Sequence, residues 1–163
     1  MFTPALAAAS EATPTTAPAL PAPSGQVLLQ VSGRIASTNV DDAAHFDRDM
    51  LASLPPHRIE THTTVTDGVQ VFEGFRMADL LSWVGARGDT VRASALNEYR
   101  VDIPMSDFDE FDVIVAYRMN EQELTVPDKG PLWIIYPRDD HEVLQDIRYD
   151  YRWVWHLNRL HVD

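Results

Sequence analysis

Residues 112–137, DVIVAYRMNEQELTVPDKGPLWIIYP, read as a strand, a hairpin, a short returning strand, a Gly-Pro break and a second apolar strand. Val113, Ile114, Val115 and Ala116 form the first apolar run. Leu132, Trp133, Ile134, Ile135 and Tyr136 form the second. Branched and aromatic residues in runs this short fill a pleated, buried surface. Asn120-Glu121 marks the hairpin tip, and Gly130-Pro131 interrupts the chain before the second run. Arg138, Asp139, Asp140 and His141 follow at once, so a buried strand opens into a polar cluster. Such a cluster either holds a site or enters a solvated loop.

Working outward, the same alternation recurs. Val27, Leu29 and Val31 share one face of a strand over 26–34, stopped by Gly33. Phe46, Met50, Leu51 and Leu54 fall at helical spacing from Asp42 until Pro55-Pro56 ends the element. Residues 58–66 read as a strand with Thr61, Thr63 and Val65 on one side. Asp67-Gly68 turns it into VQVFEG. Phe75, Met77, Leu80, Leu81 and Val84 mark a short helix. A hairpin follows around Asn97-Glu98, and Ser106 with Asp109 predicts one helical turn. In YRWVWHLNRLHV, Tyr151, Trp153, Trp155 and Leu157 share a strand face, whereas Leu160 and Val162 have the opposite parity. A register break is therefore expected near Asn158-Arg159. The sum is one mixed, strand-rich α+β domain over 26–163, with eight or nine strands and two or three short helices.

Composition excludes several functions. The 163 residues carry 25 acids and 13 Lys/Arg, a formal charge of −12, which argues against a nucleic-acid groove or an anionic membrane surface. No apolar run reaches transmembrane length. The chain has no cysteine, so it has no disulfide, no thiolate metal ligand and no cysteine nucleophile. Residues 1–25 hold five of the eleven prolines and one charged side chain, Glu11, and read as a disordered leader or spacer. Ala5-Leu6-Ala7 is similar to a secretory cleavage region, although a basic n-region and an apolar h-region are missing from the sequence.

Candidate chemistry is sparse. No GxSxG, GxGxxG or GKS/T motif occurs, and no catalytic residue or metal ligand set stands out. The acidic run Asp102, Asp107, Asp109, Glu110, Asp112 lacks calcium-loop spacing and reads as a solvated edge. Trp133, Trp153 and Trp155 read as core, or, where one lines a pocket, as a flat apolar wall for a ring or a peptide side chain. Arg118 reads either as an anion anchor or as a surface arginine paired with a nearby acid. His141 reads as part of a loop folding over an opening, as an exposed loop residue, or as a metal ligand beside Asp139 and Asp140. His62 and His161 would approach each other only if their strands pair.

The order FEGFRMADLL (72–81), VGARGD (84–89), ALNEYRVDIPMSD (95–107) and VIVAYRMNEQELTVPDKGPLWIIYPRDD (113–140), with the closing Tyr149, Trp153 and Leu157, resembles the sulfite oxidase-like, molybdopterin-binding oxidoreductase domain in its short stand-alone bacterial form. The resemblance implies that fold from about Gln26 onward. It also implies a molybdenum cofactor whose metal is held by a cysteine on the strand before the Phe72-Glu73-Gly74 segment. Here that neighbourhood is Ile59 to Thr64, where His62 or Thr63 would be no conservative replacement for a soft thiolate. Cations available for a pterin phosphate are Arg76, Arg92, Arg100, Arg118, Lys129 and Arg138. The expectation is an exported (periplasmic or extracellular), non-catalytic binding or accessory domain without cofactor, taking a small molecule or a protein partner. His62, Thr63, Arg118, Arg138, Asp139, Asp140 and His141 would lie at the old cofactor cleft. The alternatives are a molybdopterin-binding oxidoreductase lacking the thiolate, and unrelated hydrolytic or metal-dependent chemistry.

Overall fold

A computed structural model describes residues 20–163 apart from Thr64. The leader over 1–19, including Ala5-Leu6-Ala7, lies outside the described residues. Residues 20–25 are tied to the domain: Leu20 packs against the core, and Ser24 and Gly25 donate their N–H groups to Asp47.

The α+β, strand-rich domain expected from the sequence is the one observed, with two five-stranded sheets. The first has the order β2 (Ala44–Asp47), β1 (Val27–Gly33), β10 (Leu157–Val162), β5 (Thr90–Ala95), β6 (Arg100–Pro104). The pair β1–β10 is parallel and the others are antiparallel. The second has β3 (Pro56–Thr61), β4 (Gln70–Arg76), β7 (Ile114–Met119) and β8 (Gln122–Glu123), with β9 (Trp133–Ile135) also paired to β7. Helices are short: α1 (Arg48–Ala52), α2 (Met77–Trp83), α3 (Ser106–Glu110) and α4 (Ile147–Asp150).

The opening stretch forms the centre of the second sheet. Ile114 to Tyr117 are all buried, as a strand covered on both faces requires. Asn120 and Glu121 turn with φ of 53° and 68°, the two positive values a tight hairpin needs. Both sheets feed one buried cluster that includes Leu29, Phe46, Phe72, Ile103, Trp133 and Leu160. The segment before β10 stitches the sheets together: Ile134 N–H donates to Val154 O at 2.9 Å, and Leu157 N–H donates to Leu132 O at 3.0 Å.

Three expectations change. Phe46 lies on β2 rather than on a helix, and α1 begins only at Arg48, because the Asp47 carboxylate caps Met50 N–H at 2.9 Å. The strand expected over 58–66 stops at Thr61. The aromatic segment is not one strand: Trp155 makes an isolated bridge to Trp133, His156 takes φ of 56°, and the strand itself runs over Leu157–Val162, with the expected register break falling between Leu157 and Arg159.

Asp47 is 3% exposed and accepts from Met50, Ser24 and Gly25. The Met50 N–H, opposed by burial and helped by Gly25 and Ser24, holds its carboxyl below the usual range. Asp47→Ala removes a helix cap and the anchor of the 20–25 segment together. The expected loss is about 2–3 kcal/mol in urea unfolding.

Candidate functional site

The site is built by the loop that leaves β9. Residues 138–153 fold back over the end of the second sheet and are fastened at both ends. At the first fastening, Asp139 reaches the end of β3. His62 Nδ1 lies 2.6 Å from Asp139 Oδ2, and His62 N–H donates to the same oxygen at 3.1 Å. In return, Asp139 N–H donates to Thr61 Oγ1 at 3.0 Å. Burial raises the Asp139 carboxyl, but the His62 side chain and N–H, with the nearby Arg138 charge, outweigh it and leave it below the usual carboxylate range.

A carboxyl depressed in the folded state adds stability that is complete above its unfolded pKa of about 4 and is lost as pH falls through the lower folded value. The melting-temperature gap between the wild type and Asp139→Asn is therefore expected to be full at pH 7 and to close below about pH 4. A gap that stays unchanged to strongly acid pH contradicts this assignment.

At the second fastening, Asp107 of α3 is buried at 4% exposure and accepts from Tyr136 Oη at 2.8 Å and Arg152 Nη1 at 2.6 Å. Arg152 also lies over the Tyr149 ring at 4.5 Å, and Tyr136 stacks on Trp153 at 6.0 Å. Burial, reinforced by the Asp107 carboxylate, pushes the Tyr136 hydroxyl far above the usual phenol range, so it stays a donor. Asp107 thus departs from the solvated edge expected of the acidic run. The signal was invisible in sequence because its partners lie 29 and 45 residues away.

The seven candidate residues do not form one cluster. His62 and Asp139 meet directly, and His141 packs edge-on against Phe111 at 5.0 Å on the same loop. Asp140 lies exposed beside them. Arg138 keeps its Nε sealed from solvent without an acceptor among the described residues. Thr63 is buried and turned into its own loop, its Oγ1 2.7 Å from Thr66 Oγ1 and accepting Val65 N–H at 3.1 Å. Arg118 stands elsewhere, 3.8 Å from Glu73, on a cavity of about 370 Å³ shared with Arg48, Asp49 and Glu123. That cavity holds two arginines against three carboxylates, so it is no phosphate cradle. His161 lies on the first sheet near Ser32 and Asp163, away from His62. Among the described residues no group of three or more His, Asp or Glu converges as a metal site, and no helix is long and apolar enough to cross a membrane.

The donor set around Thr63 does not fit a molybdenum held by protein sulfur. The chain has no thiolate, the Thr63 hydroxyl is engaged, and the His62 ring is held by Asp139. The cavity beside Thr66, lined by Met119, Leu124, Lys129 and Trp133, measures about 130 Å³. Ligand pockets commonly begin at about 300 Å³.

Residues 38–141 match the family described as the oxidoreductase molybdopterin binding domain. No curated protein matches the chain. The family match corrects the expectation of a domain without cofactor, because molybdopterin is what domains of this family bind. The mismatch at Thr63 concerns ligation of the metal alone. The matched span runs from just before β2 to His141, well over half of the sequence, and on that ground the chain belongs to the molybdopterin-binding oxidoreductase domain family.

Proposed function

We propose that this chain is an exported, non-catalytic binding or accessory domain derived from the molybdopterin-binding oxidoreductase fold. The observation that carries the reading is the His62–Asp139 clasp, closed where the resemblance puts the metal-ligating sulfur. A side-chain pair that satisfies itself, next to a threonine already engaged, offers no soft ligand to tune a metal for oxygen transfer. The domain then serves by what it holds, a small molecule or a protein partner. Export is supported by Ala5-Leu6-Ala7 together with the family resemblance.

A second reading, a molybdopterin-binding oxidoreductase working without protein sulfur on the metal, is favoured by one observation. Arg138 Nε and Arg152 Nε, both on the same loop, are sealed without acceptors among the described residues, as donors awaiting an oxygen-rich ligand would be.

One experiment separates the two. The protein is produced in a molybdenum-replete host that makes the cofactor. Molybdenum and pterin content are then measured beside oxidase and reductase turnover with redox dyes. The expected result is no turnover at any cofactor content. Turnover rising in proportion to molybdenum overturns the non-catalytic reading. Fractionation of the native host tests export, and recovery from the cytosol alone rejects it.

A further inference from the structure

A second cleft lies where the tip of the β5–β6 hairpin meets the turn after α4. Tyr99 Oη donates to the Tyr151 carbonyl at 2.9 Å and fixes the two walls together. The cavity between them, about 250 Å³, is lined by Asn97, Tyr99, Asp150, Tyr151, Trp153 and Trp155. Four of these are aromatic, and Asp150 is the one charged residue on the wall. Tyr99 and Tyr151 remain 44% and 47% exposed, large values for rings that face a concavity.

One oxygen of the Asp150 carboxylate lacks a partner: Oδ1 is sealed from solvent and has no hydrogen-bond partner among the described residues. The adjacent Arg152 does not neutralise it, because its guanidinium is committed to Asp107 at 2.6 Å. Asp150 as a whole is half-buried, but a carboxylate oxygen held out of water without a partner is costly, and a cation nearby offsets that cost. The rings themselves favour a cation, since each presents a negative face. Two of these rings already draw protein cations, neither of which lines the cavity: Lys129 Nζ lies 5.7 Å from the Trp155 ring, and the Arg152 guanidinium 5.7 Å from the Tyr151 ring. The formal charge of −12 further concentrates small cations around the domain.

We infer that this cleft binds a small organic ammonium, with Asp150 as counter-ion and Tyr99, Tyr151, Trp153 and Trp155 as its aromatic box. The volume suits a ligand smaller than a drug-sized molecule, whose pockets start at about 300 Å³. The site goes beyond the function proposed above and does not depend on it, because none of its walls belongs to the His62–Asp139 clasp.

The test is calorimetric titration of the full chain, with tryptophan fluorescence as a second readout. The probes are choline and its uncharged carbon isostere, 3,3-dimethyl-1-butanol. Choline is expected to bind saturably with a Kd of about 1 mM or tighter, and at least about tenfold more tightly than the isostere. Asp150→Asn and Tyr151→Ala, both at partly exposed positions, are expected to weaken choline about three- to tenfold with unchanged far-UV circular dichroism. Absence of saturable binding, equal binding of the isostere, or variants that bind choline like the wild type would each overturn the assignment. The redox-dye assay is unaffected by any of these results, so the two proposals fail separately.

Discussion

Asp107→Ala is expected to cost about 3–5 kcal/mol, a large share of the total stability of an ordinary domain. The loss does not come from Asp107 itself so much as from what it leaves behind. Arg152, whose side chain is 15% exposed, would keep its charge with no carboxylate at 2.6 Å, and the buried Tyr136 hydroxyl would lose its acceptor. Stranding one member of a buried pair is far worse than never having built it. Asp107→Asn keeps an acceptor for Tyr136 but gives up the charge, and should fall between the wild type and the alanine variant. Urea unfolding followed by tryptophan fluorescence reads both. A loss below about 1 kcal/mol for the alanine variant would show that the network is ornamental.

Gly74→Ala is expected to be nearly as severe, for a reason of space. Gly74 sits on β4 where its register against β7 shifts, and the two backbones approach closely. A Cβ there would fall on the Val115 carbonyl and stand 2.7 Å from Ala116 Cα. Neither obstacle is a side-chain tip that can swing away. Both belong to the backbone of β7, itself paired with β4, β8 and β9. A penalty of about 3 kcal/mol or more is expected, lowering the melting temperature by about 6–12 °C. Gly68→Ala is the control. Nothing lies within 4 Å of its Cβ position, so only its φ of +69° is penalised, at about 1 kcal/mol. Equal melting temperatures for the two variants would refute the spatial argument.

The fold was largely legible because its strands carry local signals. Asp67-Gly68, Asn97-Glu98 and Asn120-Glu121 each lie between pairing strands where expected. The misreadings came where periodicity is ambiguous. Phe46 falls four residues before Met50 and so imitates a helical face, whereas the Asp47 cap starts the helix after it. Tyr151, Trp153 and Trp155 alternate like a strand, yet a turn carries them into the aromatic cleft. The site was half legible. Asp139 and His141 stand out in sequence as the polar cluster after the apolar strand, His62 only through the family resemblance, and His62 and Asp139 touch. Arg118 was grouped with them only because it ends the central strand, and strand order then put it beside Glu73. Asp107 and Arg152 could not be paired in advance, since nothing local in either neighbourhood names the other.

The parallel pairing of β1 with β10 has a consequence for how the chain must be handled and made. Ser32 meets His161 across 129 residues, and β10 separates β1 from β5 in the middle of the first sheet. During synthesis β1, β2, β5 and β6 emerge with their central neighbour still missing, so the sheet closes late and exposes open edges meanwhile. A fragment trimmed to the matched residues 38–141 would lose both β1 and β10 and keep β5–β6 as an orphan hairpin. The boundary of the matched span is therefore not the boundary of the folding unit.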